Sequence, residues 1–343
     1  MQTDPFQSPE SFRQTFENGL ARMLDEYDEL GVFILVLANA AFDPEIQQRL
    51  RVALKRKFDR LSHLHETAGG DASVLGAPDD LAVFQQLLRL GIDDLLPVAV
   101  RDAGVWELQF NQLRSFRPLR NAGSAEPGIC KPFNPAGFHF ARPFLAKETI
   151  WRGAICGRDC TLFYNKFPFA TLHGLLVLEV DQGLPQYIRP QDMASLWEIT
   201  LELGRGLPGI GFGYSSTGAY SSVNHLHFQS FVRERPLPVE DGRWTHQGGE
   251  VAYPVACEVF DELNDIQYRI AELHEQEIGY NLLLRPGRCY CLTRAWQGTV
   301  AIPEWTAGLA WYELAGGFVC FDPAGYERLA EEDLSAALAL LRV

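Results

Sequence analysis

SSTGAYSSVNHLHFQSF, residues 215–231, sets His225, His227 and Gln229 on alternating positions behind a run of small and hydroxylated residues. Successive side chains of a β-strand point to opposite faces, so these three share one face while Leu226, Phe228 and Ser230 take the other. Leu226 and Phe228 then anchor the strand in a core, and two imidazoles and a carboxamide project together. A neutral imidazole with one nitrogen held by a hydrogen bond presents the other as a nucleophile near neutral pH, as covalent phosphoryl or nucleotidyl transfer requires. A glutamine is no general acid, but it donates to a phosphate oxygen without titrating, which suits a transfer whose departing group needs little protonation. Ahead of the strand, Gly213 and Gly218 permit close backbone approach. Ser215, Ser216, Thr217, Ser221 and Ser222 offer hydroxyl donors of the kind that hold phosphate oxygens.

A second His-Leu-His, in SHLHET at residues 62–67, supplies an internal control. It falls in a predicted helix, where side chains at i and i+2 diverge by about 200°, so His63 and His65 are assigned structural roles.

Outward from the motif the chain changes character near residue 105. Before it, SPESFRQTFENGLARMLDEYDEL, DPEIQQRLRVALKRKFDRLSHLH and DDLAVFQQLLRLGIDDLL carry apolar residues at helical spacing, the first behind a Ser cap. After it come short β-rich runs such as GVWELQF, TLFYN, GLLVLEV and HLHFQSFV, punctuated by Gly and Pro, with one clear helix in RPQDMASLWEITLELGRGL. Past the polar connection RPLPVEDGRWTHQGGE, strands and helices resume through VACEVFDELNDIQYRIAELHEQ. The expected organisation is a helical region over 1–104, a catalytic half over 105–240 and a second α+β half over 241–343, in an α+β fold with a mainly antiparallel sheet.

Composition narrows the function classes. The 343 residues contain 47% hydrophobic side chains, enough to fill a sizeable core. A formal net charge of -14 speaks against nucleic-acid or anionic-membrane partners, which call for clustered Lys and Arg, whereas a local excess of donors suffices for a small anionic ligand. Seven cysteines without a framework spacing suit a reducing compartment. The opening MQTDPFQSPESFRQ lacks the basic and apolar regions of a signal peptide, and GVFILVLANAAF is too short to span a bilayer, so a cytoplasmic protein is expected. Cys156 and Cys160 with His139, and Cys289 with Cys291, lack the paired spacing of a zinc ribbon, so no metal and no cofactor are assigned. KPFNPAGFHFARPF, rich in aromatics and Pro, is expected to be an ordered loop against the sheet.

The motif itself resembles a known family. HLHFQSF is similar to the histidine-triad superfamily signature, His-φ-His-φ-His-φ-φ, in the form where Gln takes the third His, as in galactose-1-phosphate uridylyltransferase, dinucleoside-tetraphosphate phosphorylase and the GDP-hexose phosphorylases. NKFPFATLHGLLVLE resembles the upstream Asn/Asp-x-x-Pro and His-x-Leu-Val element, with Asn165, Pro168 and His173 at its fixed positions, and GYSSTGAYSSVNHLHFQSF is closest to the GDP-hexose phosphorylase form. YNLLL at 280–284 and GLAWYELAGG at 308–317 look like distal segments of the same enzymes.

The resemblance, which covers roughly residues 105–320, implies a histidine-triad-like antiparallel sheet with packed helices in the two-part arrangement of the uridylyltransferase. It implies His227 as nucleophile forming a nucleotidyl-histidine, His225 orienting it, and Gln229 on the transferring phosphate. Ser222 would touch phosphate and Asn165 the ribose. His173, Thr217, Gly218 and Ser221 complete the expected substrate contacts. Lys166, which has no fixed counterpart in the family, is read as a phosphate contact or a solvated surface Lys, and Trp311 and Glu313 as shaping the site or as a core Trp and a capping Glu. The implied reaction is phosphorolysis of a nucleotide sugar of the GDP-hexose type, or nucleotidyl exchange with a sugar phosphate. The alternatives are a dinucleoside polyphosphate phosphorylase, a nucleotide hydrolase, or an inactive nucleotide-binding module.

Overall fold

A computed structural model describes residues 4–67, 76–117 and 128–343. Among the described residues, the N-terminal part carries the α-helices α1 (Pro9–Glu26), α2 (Leu30–Phe42), α3 (Pro44–Thr67) and α4 (Pro78–Leu90). Their ends follow from local chemistry. Ser8 Oγ accepts from the Ser11 N–H to cap α1, and Asp43 Oδ1 accepts from the Glu45 and Ile46 N–H groups to cap α3. Gly91 ends α4 in a backbone conformation with φ 89° that disfavours a Cβ. The run LGVFILVLANAAF, apolar on every side, forms α2 and is buried nearly throughout. Among the described residues no helix is long and apolar enough to cross a membrane.

The strands and remaining helices follow in the order β1 (Ala99–Ala103), β2 (Trp106–Phe110), α5 (Gln112–Ser115), β3 (Thr149–Ile155), β4 (Arg158–Tyr164) and β5 (Gly174–Leu178). Next come α6 (Pro190–Gly206), β6 (Ile210–Ser215), β7 (His227–Val232), β8 (Cys257–Phe260), α7 (Leu263–Glu275), β9 (Gly279–Arg285) and β10 (Arg288–Arg294). The chain closes with α8 (Trp311–Leu314), β11 (Gly317–Cys320), α9 (Pro323–Arg328) and α10 (Glu331–Ala339). One strand, β1, therefore lies inside the stretch expected to be helical, because it pairs in a hairpin with β2.

Among the described residues the main sheet has eight strands in the order β3-β4-β5-β7-β6-β9-β10-β8, and every neighbouring pair is antiparallel. The expected α+β class with a mainly antiparallel sheet is what the chain forms. A smaller sheet, β1-β2-β11, joins β2 to the late strand β11 in parallel.

The two faces of the large sheet have different partners. Leu226 and Phe228, with Leu176, Phe212 and Tyr214, enter a core shared with α1, α2, α3, α4, α6 and α7. On the opposite face two smaller clusters stand apart. One gathers Phe140, Leu145, Phe163, Val177 and Val180. The other gathers Phe169, Phe231, Leu283 and Trp311 among residues of the second sheet. His227 and Gln229, on this same face of the motif strand, lie between those two clusters.

Candidate active site

Strand β7 begins at His227, so the first motif histidine stands just outside the sheet rather than within it. His225 is fully buried, and its Nδ1 accepts the Phe140 N–H at 3.0 Å. That bond leaves the ring proton on Nε2, which is buried without a partner among the described residues. The carbonyl of His225 in turn accepts from His227 Nδ1 at 2.8 Å, so the proton of His227 sits on Nδ1 and the lone pair on Nε2. Burial pushes the His227 imidazole down to about 4 and that of His225 also to about 4, with His227 and His139 adding to the effect on His225. Both rings are therefore neutral near pH 7. The Phe140 ring, 5.1 Å from that of His227, closes one side.

Gln229 is oriented from behind. His173 is 0% exposed; its Nδ1 accepts the Phe169 N–H at 3.2 Å, which places its proton on Nε2, 3.1 Å from Gln229 Oε1. With Oε1 committed to His173, the carboxamide presents its NH₂ group away from it. Burial, then the Arg114 guanidinium, press His173 down to about 3, so this donor stays neutral over the working range. Asn165 Nδ2 lies 3.1 Å from the same His173 nitrogen, while its Oδ1 accepts the Phe167 N–H at 3.0 Å. Asn165, His173 and Gln229 thus form one cluster beside His227.

The other expected contacts divide. Lys166 is turned toward the helices and pairs with Asp80 of α4 beside Gly31. Ser215 and Ser216 are bound internally: Ser215 Oγ accepts from Asn281 Nδ2 at 2.8 Å and Ser216 Oγ from the Tyr280 N–H at 3.0 Å. In the loop before β7, Gly218 has φ 80° and a Cβ there would meet the Trp296 ring, so its role is to let the loop pass that indole. Thr217 is half-buried, Ser221 Oγ donates to the Val223 carbonyl at 3.2 Å, and Ser222 is exposed. His63 is exposed and His65 is half-buried with its ring 6.2 Å from Phe84, on a helix and diverging.

Further residues surround the site. Gln186, 2% exposed, contacts the backbone of His227. Phe133 and His139, from the aromatic loop, lie with ring centroids 5.2 and 6.2 Å from His225, whereas Phe138 is exposed. Trp311 packs flat over Gly213, which stands opposite Gln229 in the ladder and has no Cβ to obstruct it. Glu313 Oε2 accepts the Ala310 N–H at 2.9 Å, and burial pushes its carboxyl up to about 7. Of these, only Gly213 and the Trp311–Glu313 segment had a pattern to mark them. Gln186, in LPQYIRPQ, belongs to no periodic pattern. Among the described residues no group of three or more His, Cys, Asp or Glu side chains is arranged to hold a metal ion.

Comparison with known proteins bears on this region. Residues 108–231 match the family described as GDPGP1-like, N-terminal domain. The chain is 31% identical over 169 residues to GDP-D-glucose phosphorylase 1 of Homo sapiens, a match covering 47% of this chain and 42% of that protein. It is 26% identical over 200 residues to GDP-L-galactose phosphorylase 2 of Arabidopsis thaliana, covering 51% of this chain and 46% of the relative. The chain thus spans under half the length of these curated relatives. The crystal structure of yeast Ap4A phosphorylase Apa2 in complex with Ap4A aligns with 78% of this chain and 98% of its own, with a TM-score of 0.49 and 14% identity.

Proposed function

We propose that this chain, whose residues 108–231 are a GDPGP1-like N-terminal domain, catalyses phosphorolysis of a GDP-hexose-like nucleotide sugar through a nucleotidyl-histidine on His227. The observation that carries the reading is the tautomer of His227: Nδ1–H is fixed on the His225 carbonyl, so a neutral Nε2 lone pair faces outward from the strand. In the first step Nε2 attacks the α-phosphorus, the P–N bond forms, and the P–O bond to the hexose phosphate breaks with its electron pair leaving on that oxygen. In the second, a phosphate oxygen attacks the same phosphorus and the P–N electrons return to Nε2. The products are a nucleoside diphosphate and a hexose 1-phosphate. The Gln229 NH₂ group donates to a non-bridging oxygen in both steps, where charge develops. Neither departing group needs a proton near neutral pH, which fits a third motif position that does not titrate. The curated relatives named above, a GDP-D-glucose and a GDP-L-galactose phosphorylase, support the same substrate class.

The experiment is incubation with nucleotide sugars and dinucleoside polyphosphates carrying labelled α-phosphate, with and without inorganic phosphate. GDP-hexoses should label the protein without phosphate and discharge as GDP when phosphate is added. Nucleoside monophosphate formed at equal rates with and without phosphate would make the enzyme a hydrolase. Complete inertness toward the panel would leave the reading without support.

A further inference from the structure

Strands β6 and β7 pair from Ile210 opposite Val232 to Gly213 opposite Gln229, and there the pairing stops. Continued in register, it would set Ser215 against His227. The side chain of Gln186 occupies that place instead. Its Oε1 accepts the His227 N–H at 3.0 Å, and its Nε2 donates to the Ser215 carbonyl at 3.0 Å and the His227 carbonyl at 3.4 Å. A carboxamide has one acceptor and two donors, so it stands in for the peptide unit of a missing strand. The segment bearing it is fixed on both sides. The Gln186 N–H donates to Asn224 Oδ1 at 2.9 Å, its carbonyl accepts the Tyr214 hydroxyl at 3.2 Å, and the Leu226 N–H donates to the Leu184 carbonyl at 2.8 Å.

We infer that Gln186 is a positioning residue for the nucleophile, an inference that rests on the covalent reading of His227. Direct pairing would satisfy the same backbone groups but would draw β6 against His227. The inserted side chain holds the strands apart at that level and pins both backbone polar groups of the nucleophilic residue. The line of attack of Nε2 is thereby set by a group that never touches substrate. A misplacement of about 1 Å at a reacting atom costs up to about a hundredfold in rate.

Two variants test this. Gln186→Met keeps the volume and removes all three hydrogen bonds; it should slow nucleotidyl labelling about tenfold or more while the half-saturating nucleotide sugar concentration stays put. Gln186→Glu keeps the acceptor but turns a carboxylate toward two carbonyls, so only its protonated form can donate to one of them. Burial raises such a carboxyl. Its labelling rate should be low at neutral pH and climb toward wild type on acidification, a recovery that Gln186→Met lacks. Wild-type labelling by Gln186→Met, or parallel losses in both variants with no pH-dependent recovery, would overturn the inference. If the wild type takes no label from any donor, the covalent reading fails on its own, and imidazole nitrogen-15 shifts decide the positioning. His227 should show a single Nδ1–H tautomer in wild type and mixed tautomers in Gln186→Met; identical shifts in the two would overturn the inference.

Discussion

His227 is held through its Nδ1 and its backbone while Nε2 carries no bond to a described residue, and that division of labour predicts how its loss will look. His227→Ala should abolish labelling while the protein stays folded, at a cost of about 1–3 kcal/mol for leaving the buried His225 carbonyl without its donor. Labelling of the variant equal to wild type, measured by acid-quenched filter binding, would move the nucleophile elsewhere. Gln229→His tests the third motif position. An imidazole there can donate a proton, so water should compete better and hydrolysis should rise relative to transfer; a tenfold change in that ratio needs only about 1.4 kcal/mol. The readout is the partition between nucleoside monophosphate and diphosphate at fixed phosphate, and an unchanged partition would remove the link between Gln229 and acceptor choice. Of the three polar motif residues, His225 stands just before the strand, where the Phe140 N–H holds it, whereas His227 and Gln229 were legible because strand alternation is a local rule. Lys166 was not, because the carboxylate that captures it, Asp80, lies in a helix far away in sequence.

At the scale of elements, the assignments that depend on period or on caps were readable: the long helices α1, α3, α4 and α6 and the central strands β4, β5 and β7 lie where apolar spacing puts them. What stayed hidden was the pairing that turns β1 into a strand and the side chain that interrupts β6 and β7, since both require partners brought together only by the fold. Gly213 shows the same limit. Its sequence context suggested close approach to a ligand, but the group it admits is the Trp311 indole, which would lie 2.1 Å from an added Cβ. Gly213→Ala should therefore destabilise by about 1–3 kcal/mol through overpacking, read as a lower urea midpoint at constant m-value. An unchanged midpoint would mean the indole has room to slide. On α3 the control pair gives the opposite expectation: replacing His63 and His65 together should leave turnover within a few-fold, because the rings diverge and one packs beside Phe84. A large loss at constant melting temperature would place the helix in the site.

For the whole molecule, protonation links the site to stability. Burial holds His173 at about 3 and His225, His227 and His274 at about 4, all below the ordinary histidine value. The unfolded chain therefore binds more protons than the folded one between about pH 6.5 and 4, and these groups withdraw stability as pH falls through that window. Glu148 and Glu313, both raised to about 7, act in the reverse sense and withdraw stability as pH rises from about 4.5 to 7. Four groups against two predict a lower melting temperature at pH 5 than at pH 7; the reverse order would show that the carboxyls dominate. Stability and chemistry meet most closely along β7, whose even-numbered side chains belong to the helix-covered core and whose odd-numbered ones belong to the opposite face. In a saturating mutational scan, residues 226–229 should then sort by parity: polar changes at Leu226 and Phe228 deplete the protein from the cell, whereas changes at His227 leave it abundant and silent and changes at Gln229 leave it abundant with altered activity.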